Sequence, residues 1–79
     1  MVLVNTDFIT GQNLQTLKLI TGQSLHFDFT LAKMNAERNL REEAIEMGAD
    51  GIINIRYSCY RDSGENHGII VSGTAVKFI

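Results

Sequence analysis

Alternating apolar and polar residues near the C-terminus predict two strands joined by a short loop. The first strand is expected over residues 51–60, where every second side chain points to the same face. The residues assigned to that face are Ile53, Ile55, Tyr57 and Cys59. A polar stretch over residues 61–67 has the composition of a hairpin loop, and the chain then returns as a strand over residues 68–78.

Pairing these two strands around the loop predicts which side chains meet. Ile55 is expected opposite Gly73, and Ile53 opposite Ala75. The small residues Gly73 and Ala75 would leave room for a helix to lie close to the sheet. The reverse face is then polar and carries Arg56, Ser58, Ser72 and Thr74.

The first part of the chain predicts two further strands. A short apolar segment over residues 2–5 is one candidate, and a longer segment over residues 14–25 is the other. Thr21 and Gly22 are expected to form a bulge or a turn within the longer segment. A polar loop around Gly11 would connect the two strands.

Residues 31–47 predict a helix, since they are rich in Ala, Leu, Glu, Arg and Met. Asp28 or Thr30 can cap its N-terminus, and Gly48 supplies the left-handed residue that commonly ends a helix. One apolar stripe of this helix is expected on the sheet: Ala36, Leu40, Ala44 and Met47. A second stripe lies well round the helix and consists of Leu31, Met34 and Ile45.

These elements predict a single α+β domain over residues 1–79 with the order β-β-α-β-β. One helix would cover one face of a small antiparallel sheet, in two layers. The second helix stripe has no obvious partner in so short a chain. We therefore expect Leu31, Met34 and Ile45 to form an oligomer interface.

Length and composition also favour self-association. A chain of 79 residues buries only about 60% of its unfolded surface, so its own core is marginal. Cys59 is the only cysteine, which excludes a disulfide within one chain and fits a reducing compartment. Contact with further copies of the chain is the remaining common source of stability.

Charge and hydropathy exclude two classes of partner. The net charge is −2, and the seven Lys and Arg residues are spread along the chain, so no nucleic-acid surface is expected. No apolar run approaches the length of about 18 residues that spans a membrane. The N-terminus does not have the pattern of a secretory signal, so a cytoplasmic location is expected.

Two segments of the C-terminal half are similar to a known family. Residues 43–57 contain Gly-Ala-Asp between the helix and an aliphatic strand that ends in Arg-Tyr, and residues 72–77 read Ser-Gly-Thr-Ala-Val-Lys. Together they resemble the YbjQ-like family, and residues 17–24 resemble it more loosely. Compared with the family pattern, the segment before Gly-Ala-Asp is short.

The resemblance implies a fold of the dodecin or YbjQ-like type, assembled into a ring of five copies. It also implies binding of a heavy metal, because family members are often labelled in that way. A shortened helix region would alter any family site near the helix N-terminus.

Metal binding would use the few candidate ligands in the chain: His26, Asp28, Cys59 and His67. Zinc and copper need three or four converging ligands, and neither CxxC nor HxxxH spacing occurs here. The alternative is that Cys59 is a small buried residue, His26 ends a strand and His67 lies in a loop. No cofactor is predicted otherwise.

Catalysis is not expected. Cys59 and His67 form the one Cys/His pair that is near in sequence, but Cys59 shares its face with Ile53 and Ile55 and should be buried and unreactive. The sequence contains no nucleophile elbow. We therefore interpret the chain as a protein that binds a ligand without converting it.

Arg56 is the strongest candidate for ligand binding. An arginine among hydroxyl groups can hold a carboxylate or a phosphate through two hydrogen bonds. Pockets are predicted at the interfaces between subunits, lined by Arg56, Tyr57, Ser72 and Thr74 or by Leu31 and Met34 of the helix stripe. The expected partners are further copies of the chain and a small anionic metabolite or nucleotide. The alternatives are metal binding, docking of another protein, or a salt bridge from Arg56 to Asp50, Glu37 or a partner's acid.

Overall fold

The computed structural model describes residues 1–62 and 64–79. Within them the chain forms one helix and four strands: β1 (Val2–Leu3), β2 (Leu14–His26), α1 (Phe29–Glu46), β3 (Gly51–Arg61) and β4 (His67–Phe78). The β-β-α-β-β order and the α+β class predicted from the sequence are confirmed. Ser63 of the predicted hairpin loop lies outside the described residues. No helix in the described ranges is both long and apolar enough to cross a membrane.

The four strands form a mixed sheet with the order β1-β3-β4-β2. β4 pairs antiparallel with both β2 and β3, whereas β1 pairs parallel with β3. The predicted antiparallel pairing holds for β2, β3 and β4, and the parallel strand β1 departs from it. β1 and β2 run in the same direction at opposite edges of the sheet. The segment that connects them must therefore cross from one edge to the other and run back to the end of the sheet at which β1 began.

Helix α1 begins and ends at the capping residues that the sequence predicted. The Asp28 side chain accepts a hydrogen bond from the backbone nitrogen of Leu31 at 3.1 Å. Gly48 has a φ of +76°, a left-handed conformation that favours glycine. The buried face of the helix consists of Ala32, Ala36, Leu40 and Ala44.

The helix lies on β2 and β4, and Gly22 of β2 sets how closely it approaches. A Cβ atom built on Gly22 would lie 2.6 Å from the backbone nitrogen of Leu40 and closer still to the carbonyl oxygen of Ala36. Gly22 pairs regularly with Val71, so the prediction of a bulge or a turn at Thr21 and Gly22 was wrong. The irregularity in β2 lies between Thr16 and Lys18.

A bulge in β3 changes the predicted pairing with β4. Ile53 pairs with Thr74 and not with Ala75, and Asn54 adopts a φ of +54°. The extra residue moves Ile53 to the face away from the helix, while Ile55 stays on the helix side. At Gly73, a Cβ atom would lie 2.6 Å from the Cγ2 atom of Ile52. Gly73 therefore makes room for a β3 side chain rather than for the helix.

Two apolar clusters follow from this arrangement. The larger lies between α1 and the sheet and includes Ile20, Leu40 and Val71. The smaller lies on the other face, where the segment after β1 places Ile9 against Ile53 and Val76. Beyond that segment the same face of the sheet is left open, with Leu19 68% exposed and Leu25 50% exposed.

Candidate functional site

A pocket lies where the N-terminal half of α1 passes the outer ends of β3 and β4. It encloses about 190 Å³ and is lined by Phe29, Lys33, Tyr57, Cys59 and Ile69. Phe29 and Lys33 are one turn apart on the helix, whereas Tyr57 and Cys59 alternate along β3 on its helix side. Ile69 of β4 pairs with Cys59. The pocket forms because the helix packs on β2 and β4 and leaves this part of β3 uncovered.

Contacts with the helix hold the Tyr57 side chain in place at one side of the pocket. Its hydroxyl group donates a hydrogen bond to the Oε1 atom of Glu37 at 3.0 Å. The Nζ atom of Lys33 lies 5.3 Å from the centre of the Tyr57 ring, close enough for a cation–π contact. Burial, followed by the hydrogen bond and the negative charge of Glu37, raises the pKa of Tyr57, while Arg41 acts in the opposite direction. The phenol therefore stays protonated and acts as a hydrogen-bond donor near neutral pH.

Cys59 is exposed, and the prediction that it is buried was wrong. It does share the helix side of β3 with Ile55, as the alternation predicted, but the helix does not extend over it. Its thiol group instead forms part of the wall of the pocket. Burial of a strand face depends on which element covers it, and alternation alone does not provide that information.

The candidate metal ligands are only partly brought together. His26 pairs with His67 across β2 and β4, but the Nδ1 atom of His26 accepts a hydrogen bond from the backbone nitrogen of Asp28 at 2.9 Å. The Asp28 carboxylate caps the helix. The His67 ring contacts Phe29 edge-on, with 5.5 Å between ring centres. Across residues 1–62 and 64–79, no three His, Cys, Asp or Glu side chains are grouped so that they could hold a metal ion.

The predicted anion site around Arg56 is divided between the two faces of the sheet. Arg56 pairs directly with Ser72, and Thr74 follows on the same face. Tyr57 lies on the opposite face, in the pocket. The Nη1 atom of Arg56 donates hydrogen bonds to the carbonyl oxygens of Asn5 and Ile55, each at 3.1 Å. The guanidinium group is thus held against the backbone of its own chain.

The acids proposed as partners for Arg56 within the chain have other contacts. Glu37 accepts a hydrogen bond from Tyr57, and the Asp50 carboxylate accepts one from the backbone nitrogen of Phe78 at 2.9 Å. A salt bridge from Arg56 to a neighbouring copy stays a prediction.

Three residues that line the pocket were not predicted from the sequence: Phe29, Lys33 and Ile69. The first two could have been found, because Phe29 and Lys33 begin a row of the helix that continues with Glu37 and Arg41 at the same spacing of four residues. Ile69 could not, since its place in the pocket depends on the position of the helix across the sheet.

The comparisons place the chain in a family. Residues 3–79 match the sequence model of the YbjQ_1 family, which is described as "Putative heavy-metal-binding". The chain belongs to this family. The resemblance inferred from the Gly-Ala-Asp and Gly-Thr-Ala-Val-Lys segments is thereby confirmed.

Relatives of this chain are UPF0145 proteins from several bacteria. Those of Clostridium novyi (strain NT) and Alkaliphilus metalliredigens (strain QYMF) are 36% and 35% identical to it over 103 positions, which cover 100% of both chains in each comparison. An alignment of 103 positions exceeds the 79 residues of this chain. This chain therefore lacks residues that those two relatives possess.

A solved structure shows the same fold. The crystal structure of a protein of unknown function from Pediococcus pentosaceus ATCC 25745, which belongs to the DUF74 family, superposes with a TM-score of 0.85. It is 16% identical, and the match covers 100% of this chain and 98% of that one.

The YbjQ_1 family is described as heavy-metal-binding, but the described residues of one chain contain no cluster of three candidate metal ligands. The donor set therefore does not fit a metal site formed by a single copy.

Proposed function

We propose that this protein is a non-enzymatic homo-oligomer that binds and sequesters a small molecule. The observation that carries the proposal is the amount of apolar side chain left exposed by the single chain. On the outer face of α1, Leu31 is 43% exposed, Met34 58% and Ile45 62%. These side chains share one side of the helix, where Arg38 and Arg41 stand between Met34 and Ile45, and apolar side chains exposed on one side of so small a domain support an interface there.

The helix stripe and the open sheet face provide two different contact surfaces. The stripe of Leu31, Met34 and Ile45 lies on α1, and Leu19 and Leu25 lie on the opposite side of the sheet. Two unlike surfaces on opposite sides of a domain suit head-to-tail contacts, which close into rings. The family resemblance supports a ring of five copies.

The pocket beside Tyr57 is the proposed ligand site. Its lining is mostly apolar, with one ammonium group from Lys33, which is the usual composition of a binding site for a small organic molecule. Arg56, Ser72 and Thr74 face the other way and are proposed to contact a neighbouring copy. Sequestration by many equivalent pockets needs binding residues alone, which is the chemistry that this pocket offers.

Native mass spectrometry of the protein as purified from cells tests both parts of this proposal. We expect an oligomer that carries one additional small mass per chain, released on denaturation. Leu31→Glu combined with Ile45→Glu should reduce the particle mass, whereas Thr10→Glu with Gln12→Glu, which adds the same charge on an exposed loop, should not. A monomeric wild-type protein would contradict the oligomer, and an oligomer without bound mass would contradict sequestration.

The same measurement separates the competing function. A metal held between copies would appear as the mass of a metal ion, and His26→Ala and His67→Ala would remove it. An organic ligand would survive both substitutions.

A further inference from the structure

The volume of the pocket beside Tyr57 restricts the size of its ligand. A closed apolar cavity of about 150 Å³ holds one benzene ring. The pocket is open to solvent on one side and has a volume of about 190 Å³, which provides space for such a ring with one small substituent.

The lining of the pocket restricts the chemistry of the ligand. Phe29 and Tyr57 contribute aromatic rings, and Ile69 contributes an aliphatic side chain. Aromatic rings prefer offset-stacked or edge-to-face contacts with another ring, which favours a planar ligand over a branched one.

One positive charge in the pocket is available to a ligand. Among the described residues, Arg38 and Glu42 form the only ion pair within 4.0 Å. Lys33 therefore has no carboxylate partner at that distance. The nearest helix acid on the same row, Glu37, is occupied by the hydroxyl group of Tyr57. Arg41 lies one turn further along this row, so Lys33, Glu37 and Arg41 together leave an excess of one positive charge.

We infer that the ligand of this pocket is an aromatic carboxylate with a single ring. The inference rests on the proposed function and specifies the ligand class for the same site. The ring lies against Phe29 and Ile69, and the carboxylate accepts a hydrogen bond from the ammonium group of Lys33. Such a charge-assisted hydrogen bond is stronger than one between neutral groups.

Cys59 provides a direct readout of the pocket, because it is the only cysteine and its thiol lines the wall. Alkylation of the full-length protein by iodoacetamide is followed by mass spectrometry with and without benzoate. We expect saturating benzoate to slow alkylation several-fold. Acetate, which has the charge without the ring, should have no effect, and benzyl alcohol, which has the ring without the charge, should protect only weakly.

Two variants separate the contributions of charge and ring. Lys33→Gln should weaken the binding of benzoate about tenfold and leave that of benzyl alcohol unchanged. Lys18→Gln removes a positive charge from an exposed position away from the pocket and should change neither. Phe29→Ala should weaken the binding of both compounds, with circular dichroism confirming that each variant is folded.

The outcomes distinguish the ligand class from the proposed function. Protection by benzoate that depends on Lys33 supports the inference. A small organic mass on the purified protein that benzoate fails to displace would overturn the aromatic carboxylate and leave sequestration standing. Equal protection by benzoate and acetate would also overturn the ligand class, since the ring would then contribute nothing. With neither a bound mass nor protection by benzoate, both proposals fail.

Discussion

Replacement of Gly22 by alanine would insert a methyl group between β2 and α1 at their closest contact. The new Cβ atom would lie 2.6 Å from the backbone nitrogen of Leu40 and closer still to the carbonyl oxygen of Ala36. Both are backbone atoms of the helix and cannot move away by a change of rotamer. Relief of the contact therefore requires the helix to shift away from the sheet.

The size of the effect follows from what the shift would expose. Overpacking of a protein core typically costs about 1–3 kcal/mol. We expect the upper end, about 3 kcal/mol, because the helix can move only by loosening Ala36 and Leu40, which are fully buried. For a domain of this size, about 1 kcal/mol shifts Tm by roughly 4–8 °C. The expected decrease in Tm is therefore about 12–24 °C.

Differential scanning calorimetry at matched protein concentration measures this shift, since the stability of an oligomer depends on concentration. Gly64→Ala is the matched control, because Gly64 is exposed in a loop and the nearest atom to its new Cβ, apart from the two adjoining residues, would be Oδ1 of Asp62 at 3.5 Å. We expect the control to stay within about 0.5 kcal/mol of the wild type. A Gly22→Ala variant that melts at the wild-type temperature would refute the close helix contact.

Three further predictions concern single side chains. Asp28→Ala should lower the free energy of unfolding by about 1 kcal/mol, as measured with urea, because the N-terminal cap of α1 is lost. Asp28→Asn should retain most of the stability, since asparagine is also a good N-cap residue. Cys59 should react with iodoacetamide in the folded protein without denaturant, and a thiol that reacts only after unfolding would contradict its exposure. In a Tyr60→Phe background, where Tyr57 is the only tyrosine, Glu37→Gln should lower the pH at which the phenolate absorbance appears. Because the folded-state pKa of Tyr57 is raised, the contribution of this residue to stability is present below about pH 10 and is lost as the pH rises above that value. If Glu37→Gln left the titration of Tyr57 unchanged, the contact between the two side chains would be disproved.

The sequence was sufficient to predict the features of the fold that depend on local chemistry. The Asp28 cap, the left-handed Gly48 and the order of strands and helix follow from side chains that act on neighbouring backbone. The position of Ile53 did not follow, because it depends on a bulge stabilised from a distance. The backbone nitrogen of Asn54 donates to the carbonyl oxygen of Thr6 at 2.8 Å, and nothing near Asn54 in sequence indicates that contact.

The candidate site could be predicted only in part for the same reason. Alternation correctly placed Arg56 and Ser72 on one face and Tyr57 and Cys59 on the other. It could not show that the helix covers β2 and β4 and leaves the outer end of β3 open, which creates the pocket. The placement of a helix across a sheet reflects the summed packing of all buried side chains, and here Gly22 contributes through the absence of a side chain.

The bulge at Asn54 also determines how β3 would respond to a change in length. Since Asn54 is the extra residue, its deletion would restore regular pairing with β4 without turning any later side chain to the other face. Arg56 would still face away from the helix, and Tyr57 would still face the pocket. The deletion would instead remove the hydrogen bond to Thr6, which is one of several contacts that attach the segment after β1 to the sheet. One residue thus controls a contact of the N-terminal segment without deciding which side chains of β3 face the pocket.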